Sequence, residues 1–153
     1  MKDLYKELLD KSKISNYDRN EIVFLISQIE RAELEKPINR KKGQTLLHFF
    51  VENDDYEVVK ALCDKGVDKT IRYKDELAIH IAIRHGSSVP LLNLLSEGST
   101  FHELDQFMQF ASEVKNTSAY FLFLDKIGSI MKTTVKNAIS NSLCCCHRRS
   151  VKP

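Results

Sequence analysis

The stretch Gly43-Gln44-Thr45-Leu46-Leu47-His48 decides the fold, because a stretch of the same pattern follows it at Asp75-Glu76-Leu77-Ala78-Ile79-His80. The spacing from His48 to His80 is the same as the spacing from Gly66 to Gly98. Each glycine therefore follows its histidine at one common distance along the chain. A period that recurs at several positions at once indicates tandem repeats of one supersecondary unit.

The sequence of each repeat predicts two short helices, the second of which ends at a glycine. In the first repeat, residues 45–53 are too apolar for a helix with a solvated face, so both sides of that helix should be covered. Asp54 and Asp55 can cap the second helix, and Gly66 can adopt the left-handed conformation that ends it. The apolar face of this second helix consists of Val58, Val59, Leu62 and Cys63.

The next two units follow the same order with more departures. In the second unit, apolar residues at 79–83 precede Ser87 or Ser88 as the cap of the next helix. In the third unit, Phe110 occupies the position of the histidine, and Gly128 follows it at the same distance as the glycines of the first two units. Together the units predict an all-α fold of stacked helix pairs.

Helices are also predicted at both ends of the stack, where terminal units must present a polar outer face. An amphipathic helix is expected near residues 4–9, and a second one from near Asp18 until Pro37 breaks it. At the other end, a helix over residues 129–143 is predicted to close the stack with one apolar side. That side consists of Met131, Val135, Ala138, Ile139 and Leu143.

The motifs Thr45-Leu46-Leu47-His48 and Gly66-Val67-Asp68 resemble the ankyrin repeat, whose pattern has Gly-x-Thr-Pro-Leu-His at the first helix and Gly-Ala-Asp after the second. Leu46 and Ala78 stand where that pattern has proline. The resemblance is good over residues 40–98 and weak over 99–128. It implies an ankyrin-repeat solenoid of stacked antiparallel helix pairs, with short projecting loops and helical caps.

This interpretation divides the chain into consecutive units. They are an N-terminal helical capping unit at 1–39, ankyrin repeats at 40–71 and 72–101, a degenerate repeat at 102–128, a C-terminal capping helix at 129–143, and a flexible cysteine-containing basic tail at 144–153.

The composition is that of a folded soluble domain, with 42% hydrophobic and 29% charged residues among 153. Residues 1–7 are charged and lack the apolar core of a secretory signal, and no apolar cluster approaches the roughly 20 residues of a spanning helix. The cysteines do not have the spacing of a disulfide framework. A reducing, cytoplasmic location is therefore expected.

No pattern in the chain indicates catalysis, a cofactor or a metal site. One histidine per repeat, with no clustered carboxylate, is poor ligand spacing, and the resemblance implies structural roles for His48 and His80. Cys63 is predicted to be a small buried hydrophobe. Basic residues do not alternate with aromatic ones, as single-stranded nucleic-acid binders require, so no nucleic-acid partner is expected.

The resemblance implies a non-catalytic module that binds another protein through a concave face and its loop tips. Tyr73, beside Arg72, is predicted as the best anchor because tyrosine and arginine dominate interface hot spots. The loop edge is basic, so an acidic surface on the partner is expected. The chain itself is expected to be monomeric. The predicted contact residues are Lys41, Lys42, Gln44, Glu52, Asn53, Tyr73, Lys74, Glu76, Arg84, His85 and Lys115.

The C-terminal tail suggests an alternative. From Lys126 onward there are six basic residues and no acidic one, whereas residues 1–125 have 17 basic and 21 acidic residues. Cys144, Cys145 and Cys146 beside this basic segment are candidates for S-palmitoylation, which would make the chain a membrane-tethered adaptor; an unmodified flexible tail is the other interpretation. A host-directed effector or inhibitor of an intracellular pathogen, acting in the host cytoplasm, is a further alternative by analogy of size and type.

Overall fold

The structure is a computed structural model that describes residues 3–39 and 41–147, the last five of them by their backbone alone. Over these residues the chain forms helices and two isolated β-bridges, with no strand. The helices are α1 (Leu4–Ser12), α2 (Arg19–Gln28), α3 (Arg31–Leu34), α4 (Leu46–Glu52), α5 (Tyr56–Asp64), α6 (Ala78–His85), α7 (Val89–Leu95), α8 (Phe101–Glu113) and α9 (Thr117–His147).

The helices form two layers. The first helices of the repeats pack in the order α4, α6, α8, while the second helices pack in the order α2, α5, α7, α9. A continuous apolar core lies between the layers, and its fully buried members include Phe50, Leu62, Ile81, Leu91 and Phe123. The predicted all-α stack of helix pairs is therefore confirmed.

The projecting loops of the first two repeats share one feature of backbone conformation. Tyr73 and Glu76 exchange backbone hydrogen bonds of 2.9 and 3.1 Å across a turn whose central residues, Lys74 and Asp75, have φ angles of +53° and +64°. Two left-handed central residues are the signature of a tight type I′ turn. Gly43, which holds the position of Asp75 in the preceding repeat, has a φ of +70°. The two loops thus share a left-handed last residue but differ in length, because Asn39 and Gln44 enclose residues 40–43, whereas Tyr73 and Glu76 enclose residues 74–75.

The predicted helix-ending glycines are correct in two units and wrong in the third. Gly66 and Gly98 have φ angles of +75° and +77°, which a side chain at Cβ would strain. At Gly66 the backbone N–H of Val67 reaches back to the Leu62 carbonyl at 3.2 Å, as in a Schellman cap. Gly128 lies inside α9 and ends nothing.

The register of the third unit also differs from the prediction. The first helix of this unit, α8, begins at Phe101, so the position that His48 and His80 hold in α4 and α6 belongs to Glu103 rather than Phe110. The Glu103 carboxylate accepts from the backbone N–H of Thr100 at 2.7 Å, closing a capping box. Phe110 lies far along α8, because this helix has 13 residues and α4 only seven.

The C-terminal cap does not form as predicted. Residues 129–143 are not a separate helix but the continuation of α9, which runs unbroken for 31 residues. Met131, Val135 and Ile139 are 55–57% exposed, so this segment does not close the stack. The apolar spacing is a sound indication of a helix, but the helix extends past the last packed turn instead of folding back.

Both repeat histidines are structural, as predicted. The Nδ1 atom of His48 accepts from the backbone N–H of Thr45 at 3.3 Å, and its Nε2 lies 3.1 Å from the Ile71 carbonyl oxygen. A neutral ring with its proton on Nε2 satisfies both bonds, and the second one links the first repeat to the loop of the next.

His80 lacks that link. Leu77 offers only its backbone N–H to Nδ1, at 3.3 Å, and the His80 ring packs edge-on against Phe107 and Phe110. Burial lowers the pKa of both His48 and His80 below the ordinary value of 6.5.

A buried carboxylate joins the N-terminal unit to the first repeat. Asp55 is 3% exposed and caps α5 by accepting from the backbone N–H of Val58 at 3.3 Å. Its second oxygen accepts from the Tyr17 hydroxyl and from Arg19 Nε, the latter at 3.0 Å. Burial, followed by the hydrogen bond to Asp55, raises the pKa of Tyr17.

We expect acid to destabilise the fold through the buried His48 and the half-buried His80. Their lowered pKa means that the unfolded chain binds protons first, so the stabilising contribution is complete above pH 6.5 and is lost as the pH falls. Urea unfolding at about pH 7.5 and about 5.5 measures the change. The H48Q/H80Q variant should lose about 1–3 kcal/mol at the higher pH and show a weaker dependence on pH. H85Q, at an exposed histidine, serves as the control; an unaltered dependence in H48Q/H80Q would contradict the assignment.

Substitution of Asp55 by Asn should lower the free energy of unfolding by about 1–3 kcal/mol, because one amide cannot accept all three hydrogen bonds that the carboxylate now accepts. Chemical unfolding of D55N checks this value. D64N is the matched control, since Asp64 is exposed and its ion pair with Lys60 lies within one helix. Equal effects of the two substitutions would show that Asp55 does not join the units.

Candidate functional site

The predicted basic loop edge is present as an exposed surface. Lys41 and Lys42 lie in the turn between Asn39 and Gln44, and Lys74 lies at the tip of the type I′ turn. Arg72 is also exposed, and its guanidinium donates to the Asp75 carbonyl at 2.7 Å within the same turn. Arg40 lies outside the described residues. Four cations therefore line the described parts of the projecting loops in the first two repeats.

Two side-chain pairs run along the first-helix layer at equivalent positions. Gln44 Nε2 donates to a Glu52 carboxylate oxygen at 2.8 Å, and in the next repeat Arg84 forms an ion pair with Glu76 at the matching positions. Each pair joins the residue before the N-cap of a first helix to the last turn of that helix. Both therefore lie on the face between the loop tips and the helix ends.

The remaining predicted contacts lie at the turns between the helices of a pair. Asn53 ends α4 and donates from its amide to the Phe49 carbonyl at 3.0 Å, and His85, its equivalent in the next repeat, is exposed at the end of α6. Lys115 is exposed in the turn between α8 and α9, with a φ of +59°. The structure thus divides the predicted set into a loop edge, a helix face and a turn edge.

Tyr73 does not have the position of an interface anchor. Its side chain is only 6% exposed, and its ring lies 5.6 Å from the ring of His48. The type I′ turn directs Tyr73 into the protein and leaves Lys74 outside, with its Nζ atom 5.0 Å from the centre of the tyrosine ring. The expectation of an exposed anchor at Tyr73 is therefore wrong, and Lys74 is the group that this turn offers to solvent.

The apolar side predicted for residues 129–143 is part of a longer apolar stripe on α9, and this stripe is exposed rather than packed on the stack. Phe121, Leu124, Met131, Val135 and Ile139 are all at least 43% exposed. Their spacing, built from steps of about three and four residues, is visible in the sequence. The spacing alone could not show that no other part of the described chain covers them.

The cysteines offer no reactive group within the described side chains. Cys63, predicted to be buried, is only half-buried against the core, and burial raises the pKa of its thiol, so the thiol stays protonated at neutral pH. Cys144, Cys145 and Cys146 lie in the last turn of α9, but their side chains are outside the described part. The structure brings no three potential metal ligands together in the region it describes. None of the helices described there has the length and apolarity needed to traverse a bilayer.

Comparison with known families agrees with this geometry. The family model described as ankyrin repeats (3 copies) matches residues 6–105, more than half of the chain, from within α1 to the first turns of α8. No curated protein and no solved structure matches the chain. Ankyrin repeats generally mediate protein–protein interactions and form a non-enzymatic module. On the strength of the family match and the two-layer stack, this chain belongs to the ankyrin-repeat family.

Proposed function

We propose that the chain binds an acidic surface of a partner protein through its basic loop edge and the concave face formed by α4, α6 and α8. One observation carries the proposal: Lys41, Lys42 and Lys74 are exposed, and no carboxylate among the described residues forms an ion pair with them. Elsewhere on the surface, Lys36 and Lys60 are paired with acidic neighbours. The loop lysines are thus free to meet charges of the opposite sign on a partner.

The loops that present these lysines are held in place. The backbone N–H of Ile38 donates to the Gln44 carbonyl at 2.7 Å, and the His48 ring anchors the loop after Gly66 through Ile71. A preorganised surface loses little conformational entropy on binding, so weak individual contacts can sum to a stable complex.

The helix face contributes more to the specificity of partner binding than to its electrostatic attraction. Arg84 is already paired with Glu76, and Glu52 with Gln44, so each polar group presented here comes with a partner that fixes its direction. A protein that docks on this face must either match these pairs or displace them. Asn53, His85 and Lys115 extend the same surface along the turn edge.

Charge reversal at the loop edge should weaken binding to the partner. Cytosolic proteins captured on the wild-type chain would be compared with those captured on K41E/K42E/K74E, and a protein lost from the variant would be purified and titrated. We expect an affinity at least about tenfold lower for the variant at low salt, with the difference narrowing near about 0.5 M salt as screening grows.

K13E/K36E/K60E is the matched control, since these three lysines are exposed outside the projecting loops, pair with acidic neighbours, and give the same change in net charge when replaced. Identical capture by all three proteins, or binding that ignores salt, would exclude an electrostatic loop contact.

A membrane-tethered form of the same module is a second candidate, supported by the position of Cys144–Cys146 at the end of a solvent-exposed helix. Acyl-exchange labelling of the chain isolated from its native cells should then detect thioester-linked lipid that is absent from the variant with these cysteines replaced by serine. Unlabelled native protein would exclude this form. Action as a host-directed effector or inhibitor, a cytoplasmic location and a monomeric state stay predictions.

A further inference from the structure

The helix α9 has a packed part and an exposed part. Its first turns pack against α8 and α7, where Ala119, Phe123 and Ile127 are buried. From residue 129 to residue 142 every side chain is exposed. We call residues 129–142 the α9 extension; nothing in the described chain covers it.

The α9 extension is composed of residues that support a helix poorly in water. Thr133, Thr134 and Val135 are β-branched, and serine and asparagine make up much of the remainder. Such residues have low helix propensity, and short helices without tertiary contacts are marginal in water. The segment therefore needs an external apolar surface to be a stable helix.

The exposed apolar stripe shows which side of α9 an external apolar surface would cover. Each residue turns an α-helix by about 100°, so the stripe from Phe121 through Met131 to Val135 is centred about 120° around the axis from the buried face. The side chains of Lys132 and Lys136 lie along one edge of the stripe, and with Met131, Val135 and Ile139 they line a shallow apolar groove. The stripe thus faces away from the repeats over its whole length.

Charge distinguishes between the possible occupants of this stripe. No acidic residue occurs after Asp125, so two copies packed along their α9 extensions would bring Lys132 and Lys136 together without counter-charges. The stripe also contains Gly128, Ala138 and Ser142, which would fill a helix–helix seam poorly. An anionic lipid surface avoids both problems. Acyl chains adapt to an irregular apolar face, and the lysines at the edge of the stripe can extend to the lipid phosphates.

We propose that the α9 extension and its apolar stripe bind the surface of an anionic lipid bilayer, with the helix in the plane of the interface and the repeats on the side facing water. This surface is separate from the loop edge and the first-helix face. It requires no acylation of the cysteines, and its basic residues match the negative potential of phosphatidylserine-rich membranes.

The test is co-sedimentation of the unacylated full-length chain, kept reduced, with vesicles of phosphatidylcholine alone or with about 30% phosphatidylserine. We expect binding to the anionic vesicles, little binding to the neutral ones, and a gain in helical circular dichroism at the anionic surface. K132Q/K136Q should lower the partition coefficient by about 30-fold, and the size-matched M131Q/V135T by about tenfold.

Two controls separate this surface from the rest of the chain. F24S removes another exposed aromatic side chain outside the stripe, and K41E/K42E/K74E changes the loop edge; both should bind vesicles like the wild type, so loss of partner binding and loss of lipid binding are separable. Absence of vesicle binding, or equal binding by K132Q/K136Q, would overturn the proposal. So would a dimer in sedimentation velocity that M131Q/V135T converts to a monomer, since a second copy would then cover the stripe.

Discussion

The burial of α4 on nearly all sides is the constraint on which the stack depends. Leu46, Leu47, Phe50 and Val51 point in different directions around this helix, and all are at most 1% exposed. A seven-residue helix of this kind is unstable by itself and needs a neighbour on each side. The polar links lie at these two boundaries: Asp55 bonds to the N-terminal unit, and His48 to the loop of the second repeat. Neighbouring units are thus held together by the apolar core and, at each boundary, by a few buried polar groups.

The parts of the fold that could be predicted from the sequence are those in which a residue type is required by its own backbone. Gly66 and Gly98 recur because a left-handed residue follows the second helix of each repeat. His48 and His80 recur because the side chain at the third helical position caps the first helix of each repeat. These constraints are local, so the repeat period reveals them directly. The positions of the loop lysines follow from the same period.

The predictions that failed depend on neighbours distant in the sequence. The large side chain of Phe110 favours a register that places it at the histidine position of the third unit. The capping box of Thr100 and Glu103 instead shows where the first helix of this unit begins. Tyr73 lies in a predicted loop, but whether its ring points inward depends on the turn type. The stripe of α9 has the pattern of a closing face, yet periodicity shows only that a face is apolar and does not show what covers it.

The turn at Lys74 and Asp75 has a consequence for any attempt to improve this protein. A non-glycine residue in the left-handed region costs about 1 kcal/mol, and Asn-Gly is the pair that such a turn prefers. The chain instead keeps a cation on the strained backbone, outside the core and without an acidic neighbour bound to it in the described part of the chain. Asn or Gly in place of Lys74 would relieve strain at that residue but would remove its positive charge. Stability and the proposed recognition of an acidic partner therefore make opposite demands on Lys74.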